Sequence, residues 1–143
     1  MPILVENIDL WSEAVERTRR RHPFGLIAWV VMPDHCHLLV DPLRNDLSRL
    51  MRRLKLSFAV SYRNRTGTTR GRVWQYRFWD HIIRDERDYR HHIDYIRYNP
   101  VKHGVVDRPQ EWQWSSMNEY LNQGLYPENW DIDSAVFDQE YGE

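Results

Sequence analysis

The stretch FGLIAWVVMPDHCHLLVD, residues 24–41, predicts the centre of the fold. Its two halves are rich in β-branched and aromatic residues, and the Pro-Asp pair between them favours a tight turn, so we expect an antiparallel hairpin. Alternate side chains of a strand share a face, so His35 and His37 would point one way and Cys36 the other. Paired imidazoles are poor core residues but good metal ligands, so this hairpin is also a candidate functional site.

Length and composition favour a single folded domain. A chain of 143 residues with 41% hydrophobic residues, seven Trp and eight Tyr is large enough to bury a core. No apolar run approaches the roughly 20 residues that span a bilayer, and the N-terminal residues lack the basic start of a secretory signal. A single cysteine forms no internal disulfide, which fits a reducing compartment. We therefore expect a cytoplasmic protein without a membrane segment.

The basic residues are concentrated in the middle of the chain. The net charge is −1, but residues 44–77 hold ten Lys or Arg against one acid, whereas residues 111–143 hold eight acids and no base. Of the 20 basic residues 18 are Arg, whose guanidinium suits forked contacts with phosphate. This excess predicts a nucleic-acid-binding surface and a nucleoid-associated protein. The residues expected to bind DNA are Arg49, Arg52, Arg53, Arg63, Arg65, Arg70, Arg72 and Arg77.

Hydrophobic periodicity predicts three helices around the hairpin. A first helix runs to about Arg21, and a second begins at Asp46 or Ser48. A third helix is capped by Asp85 and should end near Asn99, because a proline disfavours helical geometry in the residue before it.

The order of elements predicts the fold class. Residues 64–72 should form a basic loop, and residues 73–83 alternate as a strand does. The result is an α+β fold of the ferredoxin-like split βαβ type, with helices on one face of the sheet and the first strand apparently missing. We expect residues 1–108 to form this domain and residues 109–143 to form an acidic, aromatic and irregular tail packed on it.

A second candidate for chemistry is DYIRYNP, residues 94–100. On a helix Tyr95 and Asn99 share a face, because they lie four residues apart. A tyrosine can attack phosphorus and form a covalent phosphotyrosine, and a divalent ion can polarise the phosphodiester. Two imidazoles and an amide oxygen, completed by water and phosphate, would hold Mg²⁺ or Mn²⁺. Tyr89 and Tyr98 are the alternative nucleophiles.

Four segments resemble, in order, those of the REP-associated tyrosine transposases, a group of single-tyrosine HUH transposases. They are WVVMPDHCHLLV, VWQYRFWDHIIRD, HHIDYIRYNPVKHGVV and EWQWSS. The resemblance implies a metal-dependent transposase and endonuclease that cleaves single-stranded DNA next to palindromic hairpins through a 5′-phosphotyrosine, without a nucleotide cofactor. It implies His35 and His37 as metal ligands, Tyr95 as the nucleophile and Asn99 as a third ligand. The histidines expected at the surface or facing DNA are His81, His91, His92 and His103.

Two departures from the family pattern bear on stability and activity. Cys36 is smaller than the usual middle residue of the His-x-His motif. The family's first strand has no counterpart here, so we expect an unpaired edge beside the histidine strand and reduced stability. A non-catalytic hairpin-binding protein is therefore the alternative function. A zinc hydrolase using His35, His37 and a carboxylate such as Asp41 is a third possibility, which zinc analysis would distinguish.

Overall fold

The computed structural model describes residues 3–69, 71, 73–74, 83 and 85–116 of the chain. The described helices are α1 (Ile3–Glu6), α2 (Ile8–Arg21), α3 (Leu47–Thr66) and α4 (Glu86–Lys102). The described strands are β1 (Gly25–Val31) and β2 (Cys36–Asp41), and a 3-10 turn follows at Pro109–Glu111. None of these helices is both long enough and apolar enough to cross a membrane.

Strands β1 and β2 form the predicted antiparallel hairpin. Their register pairs Gly25 with Asp41 at one end and Val31 with Cys36 at the other. The Met32 N–H donates to the carbonyl of the residue before Cys36 at 2.7 Å, which closes the turn. The histidine pair therefore lies at the turn end of the sheet.

The sheet separates two hydrophobic cores. Val31 and Cys36 pack on one face with α2 and α3 and form the first core. Val30 packs on the other face with Ile96 of α4 and forms the second core. Burial raises the pKa of the Cys36 thiol to about 12, so this residue is an inert part of the first core. The predicted α+β class is confirmed, but α4 covers the second face, so the described helices do not all lie on one face. His37 points to the α4 side, because its neighbour Cys36 points to the other.

The edge of β1 away from β2 is covered by the chain that follows the 3-10 turn. The Val31 N–H donates to the Trp114 carbonyl at 2.8 Å, and the Ser116 N–H donates to the Trp29 carbonyl at 2.9 Å. The Trp29 N–H in turn donates to Ser116 Oγ at 2.8 Å. The described start of the acidic tail therefore pairs with the sheet. The predicted unpaired edge is the other one, that of β2, and stays a prediction.

Helix α3 begins where the sequence predicts and ends later. Asp46 caps it by accepting a hydrogen bond from the Ser48 N–H at 2.9 Å. The helix continues to Thr66, so the predicted loop starts too early, and Gly67 ends the helix at φ 72°. Because glycine adopts this left-handed geometry without steric cost, Gly67 was the available signal.

Helix α4 continues past Pro100 to Lys102, so the predicted end before the proline is wrong. Gly104, at φ 71°, ends it instead. The Gly104 N–H donates to the Val101 carbonyl and the Val105 N–H to the Pro100 carbonyl, both at 3.0 Å, which is the Schellman pattern. A proline this close to a helix end removes a single backbone hydrogen bond, so one further turn forms.

Several predicted features lie outside the described residues. They include most of the strand predicted at residues 73–83 and the tail beyond residue 116. The side chains concerned are Arg70, Arg72, Arg77 and His81.

Candidate active site

Two histidine rings meet at the start of β2. The ring centroids of His35 and His37 are 5.2 Å apart, with an interplanar angle of 86°. Asp34 Oδ1 lies 2.8 Å from His35 Nδ1, and this hydrogen bond holds the pKa of the Asp34 carboxyl below its usual value. Because a carboxylate only accepts, Nδ1 of His35 carries the hydrogen, and in the neutral imidazole Nε2 presents a lone pair.

The buried nitrogens of this pair fit a metal ion. Nε2 of both histidines is buried, and Nε2 of His35 has no hydrogen-bond partner among the described residues. A buried acceptor without a donor costs about 1–3 kcal/mol, which coordination to a cation would offset. Within the described ranges, no three His, Cys, Asp or Glu side chains are grouped to hold a metal. An amide oxygen, water and phosphate, as predicted from the sequence, would complete the coordination.

Helix α4 brings Tyr95 to the histidine pair. The Tyr95 ring centroid lies 5.3 Å from that of His37, edge-on at 89°, and the residue is 3% exposed. The helix begins at the predicted cap, since Asp85 accepts a hydrogen bond from the Asp88 N–H at 2.8 Å. Ile96 anchors the same turn in the second core. Residues from two separate elements thus form one site.

The amide predicted as a third ligand lies one turn further along α4. Asn99 is 1% exposed, and its side-chain oxygen is buried. Its spacing of four from Tyr95 places both residues on the same face of the helix. The structure therefore offers a buried amide on the face of α4 that carries Tyr95.

The alternative tyrosines have other surroundings. Tyr98 lies beneath the Arg97 guanidinium, which is 4.8 Å from its ring centroid. Tyr89 packs against the second core. Of these three described tyrosines, Tyr95 is the one whose ring contacts His37.

Two residues at the end of α4 join the site without having been predicted there. Lys102 Nζ lies 3.3 Å from Tyr95 Oη and 4.9 Å from the centre of its ring. The ring of His103, which is exposed as predicted, lies 5.1 Å from that of His35. Because the sequence predicted that the helix ends near Asn99, neither residue was expected at the site. The seven-residue spacing of Tyr95 and Lys102, about two helical turns, was the available signal.

His92 is not at the surface, contrary to the prediction. It is 8% exposed, and its Nδ1 lies 2.8 Å from the Asp88 carbonyl oxygen and 3.2 Å from a carboxylate oxygen of the same residue. The His92 side chain is therefore buried and is held by Asp88, one turn earlier in α4.

The arginines predicted on α3 lie on the other side of the sheet from Tyr95. Helix α3 packs into the first core, on the Cys36 side of β2, whereas Tyr95 contacts His37 on the opposite side. Arg49, Arg52 and Arg53 are exposed on the outer face of α3. They can bind a polyanion but are not next to the candidate site.

Two other predicted arginines are engaged within the protein. Arg65 donates to both carboxylate oxygens of Asp9, and this hydrogen bonding lowers the pKa of Asp9 to about 2. Arg63 donates to the Gly71 carbonyl at 2.7 Å. Phosphate contacts by these two arginines would have to compete with the bonds that tie the end of α3 to its neighbours.

The aspartate of the zinc alternative is too far from the histidines. Asp41 is four residues beyond His37 on β2, or about 13 Å at the usual strand rise. Its carboxylate accepts a hydrogen bond from the Leu43 N–H at 3.0 Å. The three side chains cannot share one ion.

Comparisons with known proteins identify the family. The family model described as "Transposase IS200 like" matches residues 7–85. A REP-associated tyrosine transposase of Escherichia coli K12 is 37% identical over 139 residues, which cover 94% of this chain and 79% of that protein. The chain belongs to the REP-associated tyrosine transposases. Another such relative, from Haemophilus influenzae, is 36% identical over 137 residues, or 89% of this chain and 78% of that protein.

A solved structure supports the same assignment. It is a REP-associated tyrosine transposase bound to a REP hairpin, with a TM-score of 0.87 and 36% identity. The match covers 100% of this chain and 83% of that chain. The resemblance read from the sequence motifs is thus confirmed.

Proposed function

We propose that this transposase cleaves single-stranded DNA next to palindromic hairpins, with Tyr95 as its nucleophile. His35, His37 and Asn99 would hold Mg²⁺ or Mn²⁺. The observation that carries the proposal is the contact between Tyr95 and His37, whose ring centroids are 5.3 Å apart. A DNA hairpin as partner is supported by the related structure bound to a REP hairpin. Such a protein would act at the nucleoid, in the cytoplasm.

The proposed step is a transesterification. Tyr95 Oη forms a bond to phosphorus, the bond from phosphorus to the 3′-oxygen breaks, and a 5′-phosphotyrosine results. The tyrosine loses one proton and the departing 3′-oxygen gains one, so atoms and charge balance. The bound metal would polarise the phosphate. One phosphodiester replaces another, so no nucleotide cofactor is needed, and attack by a different 3′-hydroxyl would transfer the strand.

A non-catalytic hairpin-binding protein is the second candidate function. The burial of Tyr95, which is only 3% exposed, favours it, because a nucleophile must reach its substrate. Incubation with labelled single-stranded hairpin DNA and Mg²⁺ or Mn²⁺ separates the two functions. A denaturation-resistant adduct identifies the enzyme, whereas hairpin binding without an adduct in either ion identifies the binding protein.

Replacing the carboxylate behind His35 should weaken metal binding. In Asp34→Asn the amide holds Nδ1 less firmly, and losses of about 10–100-fold are typical for such outer-shell partners. Because Asp34 is largely exposed, we expect the lower end, about tenfold. The measurement is the Mn²⁺ dissociation constant by calorimetry. Asp41→Asn, at the far end of β2, is the control that should keep wild-type affinity, and equal affinities for both variants would contradict the role of Asp34.

The exposed arginines of α3 should contribute to DNA affinity rather than to the chemical step. Removing one arginine–phosphate interaction should reduce the slope of log affinity against log salt by about 0.7–0.9, so alanine at Arg49, Arg52 and Arg53 together should reduce it by about 2–3. Adduct formation at saturating DNA should keep its rate, because the site is on the other face of the sheet.

The matched control for this triple variant is alanine at Arg19, Arg20 and Arg21. These arginines are exposed at the end of α2, and their removal changes net charge by the same amount. If both triple variants reduce the salt dependence equally, the effect is one of net charge, and the α3 surface is not a specific DNA contact.

A further inference from the structure

We infer that Lys102 is a positioning residue for the attack by Tyr95, holding the phenol oxygen and balancing the negative charge that gathers there. The inference rests on the proposed function of Tyr95. It gives Lys102 a role that neither the sequence motifs nor the charge distribution predicts.

The contact itself has a defined direction. Lys102 Nζ lies 3.3 Å from Tyr95 Oη, and because an ammonium has donors only, the phenol oxygen must accept. The edge-on contact with His37, at 89°, fixes the plane of the same ring. His37 therefore orients the Tyr95 ring, and Lys102 orients its phenol oxygen.

The end of α4 is built to place this ammonium. Lys102 is the last helical residue and is present on the Tyr95 face only because the helix continues past Pro100 to the Gly104 cap. Seven residues make about two turns, which carries the Lys102 side chain back over Tyr95. Lys102 is half-buried, so its charge is less screened by water than that of a surface lysine.

The chemistry of the step calls for such a charge. As Tyr95 Oη loses its proton it approaches an anionic phosphodiester, which is unfavourable without a compensating cation. The ion that His35 and His37 would hold polarises the phosphate, and the neutral imidazoles themselves add no charge beside the phenol oxygen. An ammonium that already touches the phenol oxygen stabilises the attack without having to reorganise.

The chain contains a matched control. Only two of its 20 basic residues are lysines, and the other is Lys55 of α3. Lys55 Nζ also lies over an aromatic ring, 5.8 Å from the centre of Trp74, but in contact with the first core. Replacing Lys55 by methionine removes the same charge and a similar ring contact on the opposite side of the sheet.

The first experiment compares rates of adduct formation at saturating hairpin DNA. Lys102→Met should slow adduct formation by about 100-fold, the usual loss for one donor at a developing anion. Lys102→Arg should recover part of that rate, and Lys55→Met should keep it. Hairpin affinity, measured with each lysine variant in a Tyr95→Phe background, should change much less than the rate does.

A second experiment reads the contact without DNA or catalysis. In protein labelled with ¹³C at Tyr Cζ, the Tyr95 resonance is assigned by its loss in Tyr95→Phe. Lys102→Met should shift that resonance and Lys55→Met should not. Should Lys102→Met fail to fold, Lys102→Gln serves as the neutral variant.

The outcomes separate the inference from the proposed function. Adduct formation by Lys102→Met at the wild-type rate, an unmoved Tyr95 resonance, or a loss of DNA affinity as large as the loss of rate would each overturn the inference alone. A wild-type protein that forms no adduct in either ion overturns the proposed function, and the role of Lys102 with it.

Discussion

Tyr95→Phe should form no detectable covalent adduct with hairpin DNA, a loss on the order of 10⁴-fold or more, as is usual when a nucleophile is removed. The phenylalanine ring has no oxygen that could form a bond to phosphorus. The edge-on packing against His37 depends on the ring, which the variant keeps. Hairpin affinity, measured by a mobility shift with the same DNA, should therefore remain close to wild type.

The other tyrosines of α4 provide the controls for this variant. Tyr89→Phe and Tyr98→Phe should both retain adduct formation, because Tyr89 packs in the second core and Tyr98 lies beneath Arg97. An adduct that persists in Tyr95→Phe and disappears in Tyr98→Phe would reassign the nucleophile. An adduct that persists in all three single variants would mean that no single tyrosine of α4 is indispensable as the nucleophile.

The features predictable from the sequence are those set by short-range patterns. The hairpin follows from two β-rich runs around a turn, and its period of two places His35 and His37 on one face. The caps at Asp46 and Asp85 are local as well, since each side chain bonds a backbone N–H only two or three residues away. The contact between Tyr95 and His37 could not be predicted from such local patterns. The spacing within α4 shows that Tyr95 and Asn99 share a face of the helix, but it does not show which part of the protein that face contacts.

The end of α4 shows how two local signals can compete. Pro100 and Gly104 both mark helix ends, and the sequence alone provides no measure of which prevails. In the structure the glycine cap prevails, because both hydrogen bonds of the Schellman pattern form while the proline removes only one. Lys102 and His103 reach the site because the helix continues past Pro100.

The arginine-rich segment shows the limit of charge counting. Residues 44–77 do hold many more basic than acidic residues, but the individual arginines have different surroundings. Arg65 donates hydrogen bonds to Asp9, which lies 56 residues earlier in the chain. No local sequence pattern predicts a partner that is so far away in the chain. Which side of the sheet α3 covers is likewise a tertiary property, so the sequence could not show that Arg49, Arg52 and Arg53 lie away from Tyr95.

His35→Ala should have the second largest effect on the reaction, slowing adduct formation by at least about 100-fold, more than the loss of an outer-shell partner. The variant removes the ring whose Nδ1 donates to Asp34 and whose Nε2 has no hydrogen-bond partner among the described residues. Water can occupy the space but cannot restore the orientation that the carboxylate gives the ring. Raising Mn²⁺ should therefore recover only part of the rate, while metal affinity measured by calorimetry falls in parallel.

His22→Ala is the matched control for the loss of an imidazole. His22 caps the end of α2, so its removal tests a general effect of losing a histidine. Full recovery of His35→Ala by Mn²⁺ would mean that His35 adds affinity but no geometry. Unchanged metal affinity with a slowed reaction would mean that His35 supports the rings of His37 and His103, which lie within about 5 Å of it, rather than the ion. Parallel loss of affinity and rate is the result that a metal ligand requires, because the ion must be held before the phosphate can be polarised.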